Sequence, residues 1–486
     1  MVTRPAEGQG YDTLLLRARP KVVAVTLAKH GGLTLLLFGP PMVWAIFEAG
    51  WSLATALAVA AFVGVVPMAL VWRQPLSKDL RQVEAMVSFA LVFLLAALLS
   101  IPAFLVLDMP LAAAAFEGMS AITTTGLSVA ADPDAWPFAG HVLRAWMQWC
   151  GGLAMATAVL ALVLGPGPAS RRLGQAGIDQ GDRIASTRKQ ARQLLAAYVG
   201  LSLAGAAILA MTAPRWSEGI VLALAAVSTG GFAPRSDSLA GYTTLTQTLV
   251  IFFSVLGAMS LLTLALLSKG DAKGAWALGS VQRVTRACVG VSVLYAVWLW
   301  GTGADAIWPK VLDLLSGLST AGFSTGAMPV AGPVLVLFLV VMIMGGDEGS
   351  TAGGLKLARI GLIARGARHA LALPRLPDKT VAPLRMEGRP VTDRRLIALL
   401  ALVSLYATTA VIVWTWMLAH GYAAGPALFD TVSALSTVGL SAGVVGADMP
   451  VDLMVLLTLA MWLGRLEFIA VLVLILPRTW HHPKKD

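Results

Sequence analysis

Residues 116–130 read FEGMSAITTTGLSVA, and three later stretches repeat the pattern: VLALAAVSTGGFAPR at 221–235, LDLLSGLSTAGFSTG at 312–326 and FDTVSALSTVGLSAG at 429–443. Aligned on glycine, each has threonine, any residue, glycine, then leucine or phenylalanine. The sets are Thr124/Gly126/Leu127, Thr229/Gly231/Phe232, Thr320/Gly322/Phe323 and Thr437/Gly439/Leu440. A single run of this kind says little, because small residues also serve close helix packing in membranes. Four in register, each between two apolar runs, make chance a poor explanation. The agreement extends backwards to Glu117, Asp313 and Asp430 and to Ser120, Ser316 and Ser433, while the second copy departs with Leu222 and Ala225. Acids near the start of short helices read as N-terminal caps. A negative outer vestibule that concentrates cations is the functional alternative.

The chain of 486 residues is 57% hydrophobic and 13% charged, with a mean hydropathy of +0.77, which places it among membrane proteins. Its formal net charge of +10 falls in short clusters between apolar runs, so it reads as topology rather than nucleic-acid binding. The first 30 residues, with Arg4, Glu7, Asp12, Arg17, Arg19, Lys21 and Lys29, lack the form of a cleaved signal peptide. Cys150 and Cys288 have neither metal-ligand spacing nor disulfide pairing, and the six histidines, His481 and His482 of the basic tail among them, are scattered.

A bilayer-spanning helix needs roughly 20 mostly apolar residues. Such runs lie near 31–50 and 51–71, then in four pairs: 84–106 with 140–164, 193–212 with 244–268, 285–301 with 331–366, and 396–418 with 450–476. The connections between pairs hold Arg73, Lys78 and Arg81, then Arg171, Arg172, Arg183, Arg188 and Lys189, then Lys269, Lys273, Arg283 and Arg286, then a basic stretch over 365–395. The segments inside the pairs hold few: Arg144, Arg215, Arg235 and Lys310. This bias predicts both termini in the cytoplasm and the threonine-glycine segments facing outward as re-entrant loops. The expected fold is an all-α integral membrane protein: two leading spans (1–82), then pore repeats at 83–165, 166–268, 269–366 and 367–486 with fourfold pseudosymmetry about one pore.

The chemistry of the repeat follows from dehydration. A cation leaving water can be held by rings of backbone carbonyl oxygens, and glycine most cheaply adopts the backbone angles this requires. Short helices would aim their negative C-terminal ends at the pore. The expected filter is Thr124, Thr125, Gly126, Thr229, Gly230, Gly231, Thr320, Ala321, Gly322, Thr437, Val438 and Gly439. Five of the ten residues at 345–354 are glycine, within an apolar stretch too long for one straight span, so the helix breaks inside the membrane. Arg465 stands in the last apolar run, where an arginine is costly, with that loop as its expected partner. Lys356 and Arg359 follow the loop, Lys356 lining the inner cavity or snorkelling and Arg359 snorkelling to the cytoplasmic interface. Glu467, two residues after Arg465 on an expected helix, would face elsewhere.

The chain resembles the Trk/Ktr/HKT superfamily of potassium transporters, and the TrkH branch within it. The resemblance covers essentially the whole sequence and rests on the four filter segments, on RAWMQWCGG at 144–152, on GGDEGSTAGGLKLAR at 345–359 and on MWLGRLEFIAVLVLILPRTW at 461–480. It implies potassium uptake through a gated, channel-like pore in a bacterial inner membrane, with K+ held by filter carbonyls and no covalent cofactor. It also implies a homodimer in membrane lipid and a cytoplasmic TrkA-type nucleotide-binding partner, since no nucleotide-binding domain is legible in this chain. The gate it implies comprises Gly345, Gly346, Asp347, Glu348, Gly349, Ser350, Thr351, Gly353, Gly354, Lys356 and Arg465. Asp347 and Glu348 depart from the small residues usual there, so they would bind a passing cation or clamp Arg465. The fourth filter, STVGLSAG, looks more Ktr-like. A sodium-conducting or sodium-coupled member of the same superfamily is the nearest rival; glycine at all four filter positions resembles potassium-selective members. An intramembrane enzyme using Asp347 and Glu348 is the distant rival, and no nucleophile, metal cluster or phosphate motif accompanies them.

Overall fold

In a computed structural model, residues 17–75, 80–162, 182–375, 377, 384–386 and 389–480 are described. Arg4, Glu7, Asp12, Lys78, Arg171, Arg172, His481 and His482 lie outside them, as do the side chains of Arg183, Arg188 and Lys189. Among the described residues, the regular structure is helical apart from one short antiparallel strand pair (Arg385–Met386 with Arg389–Pro390).

The leading segment is α1 (Pro20–Lys29) and α2 (Leu33–Phe47), together one apolar span of 28 residues, followed by α3 (Trp51–Leu70). The first span therefore starts earlier than residue 31. Four units of one plan follow. The first is α4 (Gln82–Val106), short α5 (Leu111–Ile122) and α6 (Phe138–Leu162). The second is α7 (Asp182–Thr212), short α8 (Trp216–Val227), then α9 (Thr244–Gly257) and α10 (Leu261–Leu267). After α11 (Ala272–Ala277), the third is α12 (Ser280–Gly301), short α13 (Ile307–Ser319) and α14 (Gly332–Met344), which a loop joins to α15 (Leu357–Ala372). The fourth is α16 (Asp393–Ala419), short α17 (Ala424–Leu435), then α18 (Val451–Arg465) and α19 (Ile469–Ile475).

The short helices, of 12 or 13 residues, reach only about 18–20 Å at 1.5 Å per residue, too little to cross a bilayer. Packing links the units in order: α6 lies on α8, α9 on α13, α14 on α17 and α18 on α5. The last contact returns to the first unit, so the four short helices are enclosed in a closed circuit. Their inner ends are buried among small residues and aromatics such as Phe116, Phe323 and Phe429, each fully buried.

Two expected straight spans are bent. The run at 244–268 turns by 102° between α9 and α10, and the run at 450–476 turns by 118° between α18 and α19. At the second turn Glu467 and Phe468 take φ of 53° and 63°. The expected break near 345 is present as the loop between α14 and α15.

Candidate ion pathway

Each short helix ends the same way. The amide N–H of Thr125, Gly230, Ala321 and Val438 donates to the carbonyl five residues back (Ser120, Ala225, Ser316, Ser433), at 2.8–2.9 Å. The preceding threonine N–H donates three residues back, to Ala121, Ala226, Gly317 and Ala434. This pair of bonds closes a helix end around one left-handed residue, a place glycine ordinarily takes. Here it is threonine four times: φ is 54° at Thr124, 53° at Thr229, 54° at Thr320 and 48° at Thr437. A β-branched residue there costs on the order of 1–3 kcal/mol, and such repeated strain points to a functional backbone.

Two residues later comes the glycine, with φ of 86°, 81°, 76° and 95° at Gly126, Gly231, Gly322 and Gly439. A methyl group on any of them would overlap a neighbouring carbonyl oxygen. Gly126 faces that of Gly230, Gly231 that of Ala321, Gly322 that of Val438, and Gly439 that of Thr125. The contacts run from copy one to two, three, four and back to one. Eight of the twelve residues expected as filter, the four glycines and the residue before each, thus meet in one closed ring of backbone. At Thr124 and Thr437 the buried hydroxyls have no protein hydrogen-bond partner.

The acids do not cap their helices. Glu117, Asp313 and Asp430 each stand seventh in their helix and are buried. They reach forward to the chain leaving the ring. Glu117 accepts from Ser128 Oγ (2.9 Å) and Val129 N (3.3 Å), Asp313 from Thr325 N (2.6 Å) and Oγ1 (3.0 Å), and Asp430 from Ser441 Oγ (2.7 Å) and Ala442 N (2.6 Å). The N-terminal reading fails because the exit strand doubles back along its own helix, a tertiary relation that helix periodicity does not encode. Glu117 also pairs with buried Arg144 at 3.1 Å.

The loop between α14 and α15 lies against the threonine end of the ring. Gly353 N donates to Thr320 Oγ1 (2.7 Å) and Gly354 N to the Ser436 carbonyl (3.1 Å). Thr351 Oγ1 lies 3.0 Å from the carbonyls of both Val227 and Gly257, and Asp347 N donates to the Ala258 carbonyl at 2.9 Å. The loop therefore touches copies two, three and four.

Its charged residues are paired. Arg465, 2% exposed, donates to the Thr351 carbonyl at 2.7 Å, the partnership expected of it, and its Nε and Nη2 have no protein partner. The acids do not clamp it. Asp347 is fully buried and takes a two-pronged bond from Arg283 (3.0 and 2.9 Å). Glu348 pairs with Arg359 (3.2 Å) and Arg395 (3.7 Å). Arg359 does not snorkel, because it also holds Glu467 at 2.8 Å and is largely enclosed. Lys356, buried with φ of 78°, donates Nζ to the Ala352 carbonyl. The sequence reading missed Arg283 as a partner, although an acid at membrane depth demands a cation. It also passed over Gln148, a polar residue inside an apolar run.

The family described as TrkH, cation transport protein, matches residues 82–273 and 306–482. An uncharacterized cation transporter of Methanocaldococcus jannaschii is 25% identical over 403 residues, 82% of this chain and 83% of its own. The Trk system potassium uptake protein TrkH of Escherichia coli K12 is 28% identical over 387 residues, 75% of this chain and 78% of its own. In fold, the chain superposes on the crystal structure of the potassium transporter TrkH from Vibrio parahaemolyticus with a TM-score of 0.82 at 22% identity, covering 95% of this chain and 99% of that one. With all four ring segments and the loop at 345–354 inside the matched residues, the chain belongs to the TrkH cation transport protein family.

Proposed function

We propose that this chain is the potassium-conducting membrane subunit of a Trk-type uptake system in a bacterial inner membrane, with a fourfold pseudosymmetric filter. The closed circuit of glycine-to-carbonyl contacts carries the reading. It turns the Thr125, Gly230, Ala321 and Val438 carbonyls of four separate segments around one axis, an arrangement suited to replacing the water around a dehydrated cation. The unpartnered hydroxyls of Thr124 and Thr437 are further oxygens for that ion or its water. Potassium enters down its electrochemical gradient, which supplies about 2.3 kcal/mol per charge per 100 mV. No chemical step is involved.

The loop at 345–354, with Lys356 and Arg465, is the gate. It presses on the filter threonines and brings two buried cations to the pathway, so it must shift before an ion passes. The Lys- and Arg-rich connections support a cytoplasmic position for this side and for both termini. A homodimer in membrane lipid, regulated by a TrkA-type nucleotide-binding subunit, completes the system. The domain limits at 82, 165, 268 and 366 separate the leading spans and the four repeats. The test is cation flux in proteoliposomes under matched potassium and sodium gradients, with Gly126→Ser in parallel. Potassium-selective flux that loses selectivity in the variant supports the filter. Equal potassium and sodium flux in the wild type favours the sodium-conducting alternative.

A further inference from the structure

The second copy of the filter lacks both side-chain braces seen in the others, the acid of copies one, three and four and the serine of copies one and four. Copies one, three and four have a carboxylate nine residues before the glycine that accepts the backbone N–H three residues after it, at Val129, Thr325 and Ala442. In copy two that acid is Leu222, and the residue three after the glycine is Pro234, which has no N–H to give. An acid at 222 would have nothing to accept there. The serine six residues before the glycine holds the strand in copy one, where Ser120 Oγ donates to the Leu127 carbonyl, and in copy four, where Gly439 N donates to Ser433 Oγ. In copy two it is Ala225.

A side chain from another repeat occupies the gap. Gln148, fully buried on α6, donates Nε2 to the Gly230 carbonyl and accepts from Phe232 N through Oε1 at 3.3 Å. One amide thus spans the strand on both sides of Gly231. The residue before the ring glycine is Thr125, Ala321 or Val438 in the other copies and glycine only here. A methyl group at Gly230 would overlap the Gln148 amide, which explains the difference. Arg144, one turn earlier on α6, donates to the Ala233 carbonyl at 3.3 Å and continues the brace outward.

We infer that Gln148 is a positioning residue for ion selectivity: its amide sets the reach and the field strength of the Gly230 carbonyl, making one of the four ring oxygens unlike the rest. A carbonyl has two lone pairs, so Gly230 serves Gln148 and the ion together, but an oxygen already bonded to a donor offers less charge to the ion. This inference rests on the potassium-filter reading above.

The experiment compares potassium, rubidium and sodium flux through the full-length protein in proteoliposomes for wild type, Gln148→Met and Gln148→Glu, each first checked for a single gel-filtration species. Met keeps the volume and removes both bonds. Glu keeps the acceptor for Phe232 N and removes the donor to Gly230. The expected result is a potassium-to-sodium ratio lowered about fivefold in Gln148→Met, the size of one net hydrogen bond at the site. A purely structural Gln148 would lower the flux of all three ions together and leave their ratios unchanged, which overturns the inference. If Gln148→Met does not fold, an unchanged ratio in Gln148→Glu overturns it equally. A wild type that conducts without preferring potassium removes the filter reading and this inference with it, whereas a selective wild type with equally selective variants removes the inference alone.

Discussion

The proposed filter ring and the proposed gate loop are both glycine-rich, both carry left-handed residues and lie against each other, yet they are held by different forces. In the ring, four strained threonines and four glycines recur at fixed spacing, and each glycine sits on the carbonyl of the next copy. Backbone sterics fix it, and no charge on the ring is needed. The gate occurs once and is fastened by side chains: Arg283 on Asp347, Arg359 on Glu348 and Glu467, Arg465 on the Thr351 carbonyl. Steric closure has one arrangement, whereas the partly exposed pairs of Glu348 with Arg359 and Arg395 exchange partners at small cost in free energy. On the proposed reading, the region that discriminates is built to stay put, and the region that opens is built from contacts that can be remade.

The largest effect should come from the ring. Gly322→Ala puts a methyl group on the Val438 carbonyl and a side chain at φ of 76°, combining overlap with left-handed strain of about 1–2 kcal/mol. Potassium-over-sodium selectivity in proteoliposomes should fall about tenfold or more, since each 1.4 kcal/mol is tenfold. Next is the gate. Shortening the loop at 345–354 should raise potassium flux about tenfold with the selectivity ratio unchanged, the gain expected when a state disfavoured by ~1.4 kcal/mol becomes dominant. A loop deletion that abolishes selectivity would show that the two regions are one structural unit and break the contrast.

The same contrast explains what the sequence discloses. The ring is legible because it is written four times: alignment of TTTGL, STGGF, STAGF and STVGL exposes a pattern that no single copy proves. The break at 345–354 is legible because glycine marks it. The bend between α18 and α19 is not, because its left-handed residues are Glu467 and Phe468, which no local rule puts there. Tertiary contacts impose it: Arg359 draws Glu467 across from α15. The bend between α9 and α10 is similar, at residues 258–260, where Leu261 N donates to the Gly349 carbonyl and Ser260 N to Ser280 Oγ. Gln148 hides for a related reason. It serves a strand 82 residues away, and only the departures of copy two at Leu222 and Ala225 hinted that this copy needs help.

The ion pairs of the gate sharpen the comparison further, because they differ in burial. Arg283→Gln leaves the fully buried Asp347 without its partner, a loss of about 3–5 kcal/mol that should lower the thermal unfolding midpoint. Adding Asp347→Asn removes the orphaned charge, so the double variant should recover at least half of the loss. Failure to recover would mean that Arg283 acts through its bond to the Leu278 carbonyl instead.

Glu348 should show the smallest effect. Its carboxylate is about one-third exposed, and Arg395 is half exposed at 3.7 Å. Pairs of this kind contribute about 0.2–1 kcal/mol, and they weaken with salt as the Debye length shrinks from ~10 Å at 0.1 M to ~3 Å at 1 M. Glu348→Gln should therefore raise potassium flux by no more than about fivefold at 0.1 M ionic strength. Carried out with an impermeant salt, the comparison should close at 1 M, where the wild type has already lost most of the latch. The buried Arg283–Asp347 pair is the internal control, since salt barely screens it. A Glu348→Gln difference that persists undiminished at 1 M would show that shape, not charge, fastens this end of the loop. The gate would then resemble the ring more than the ion pairs suggest.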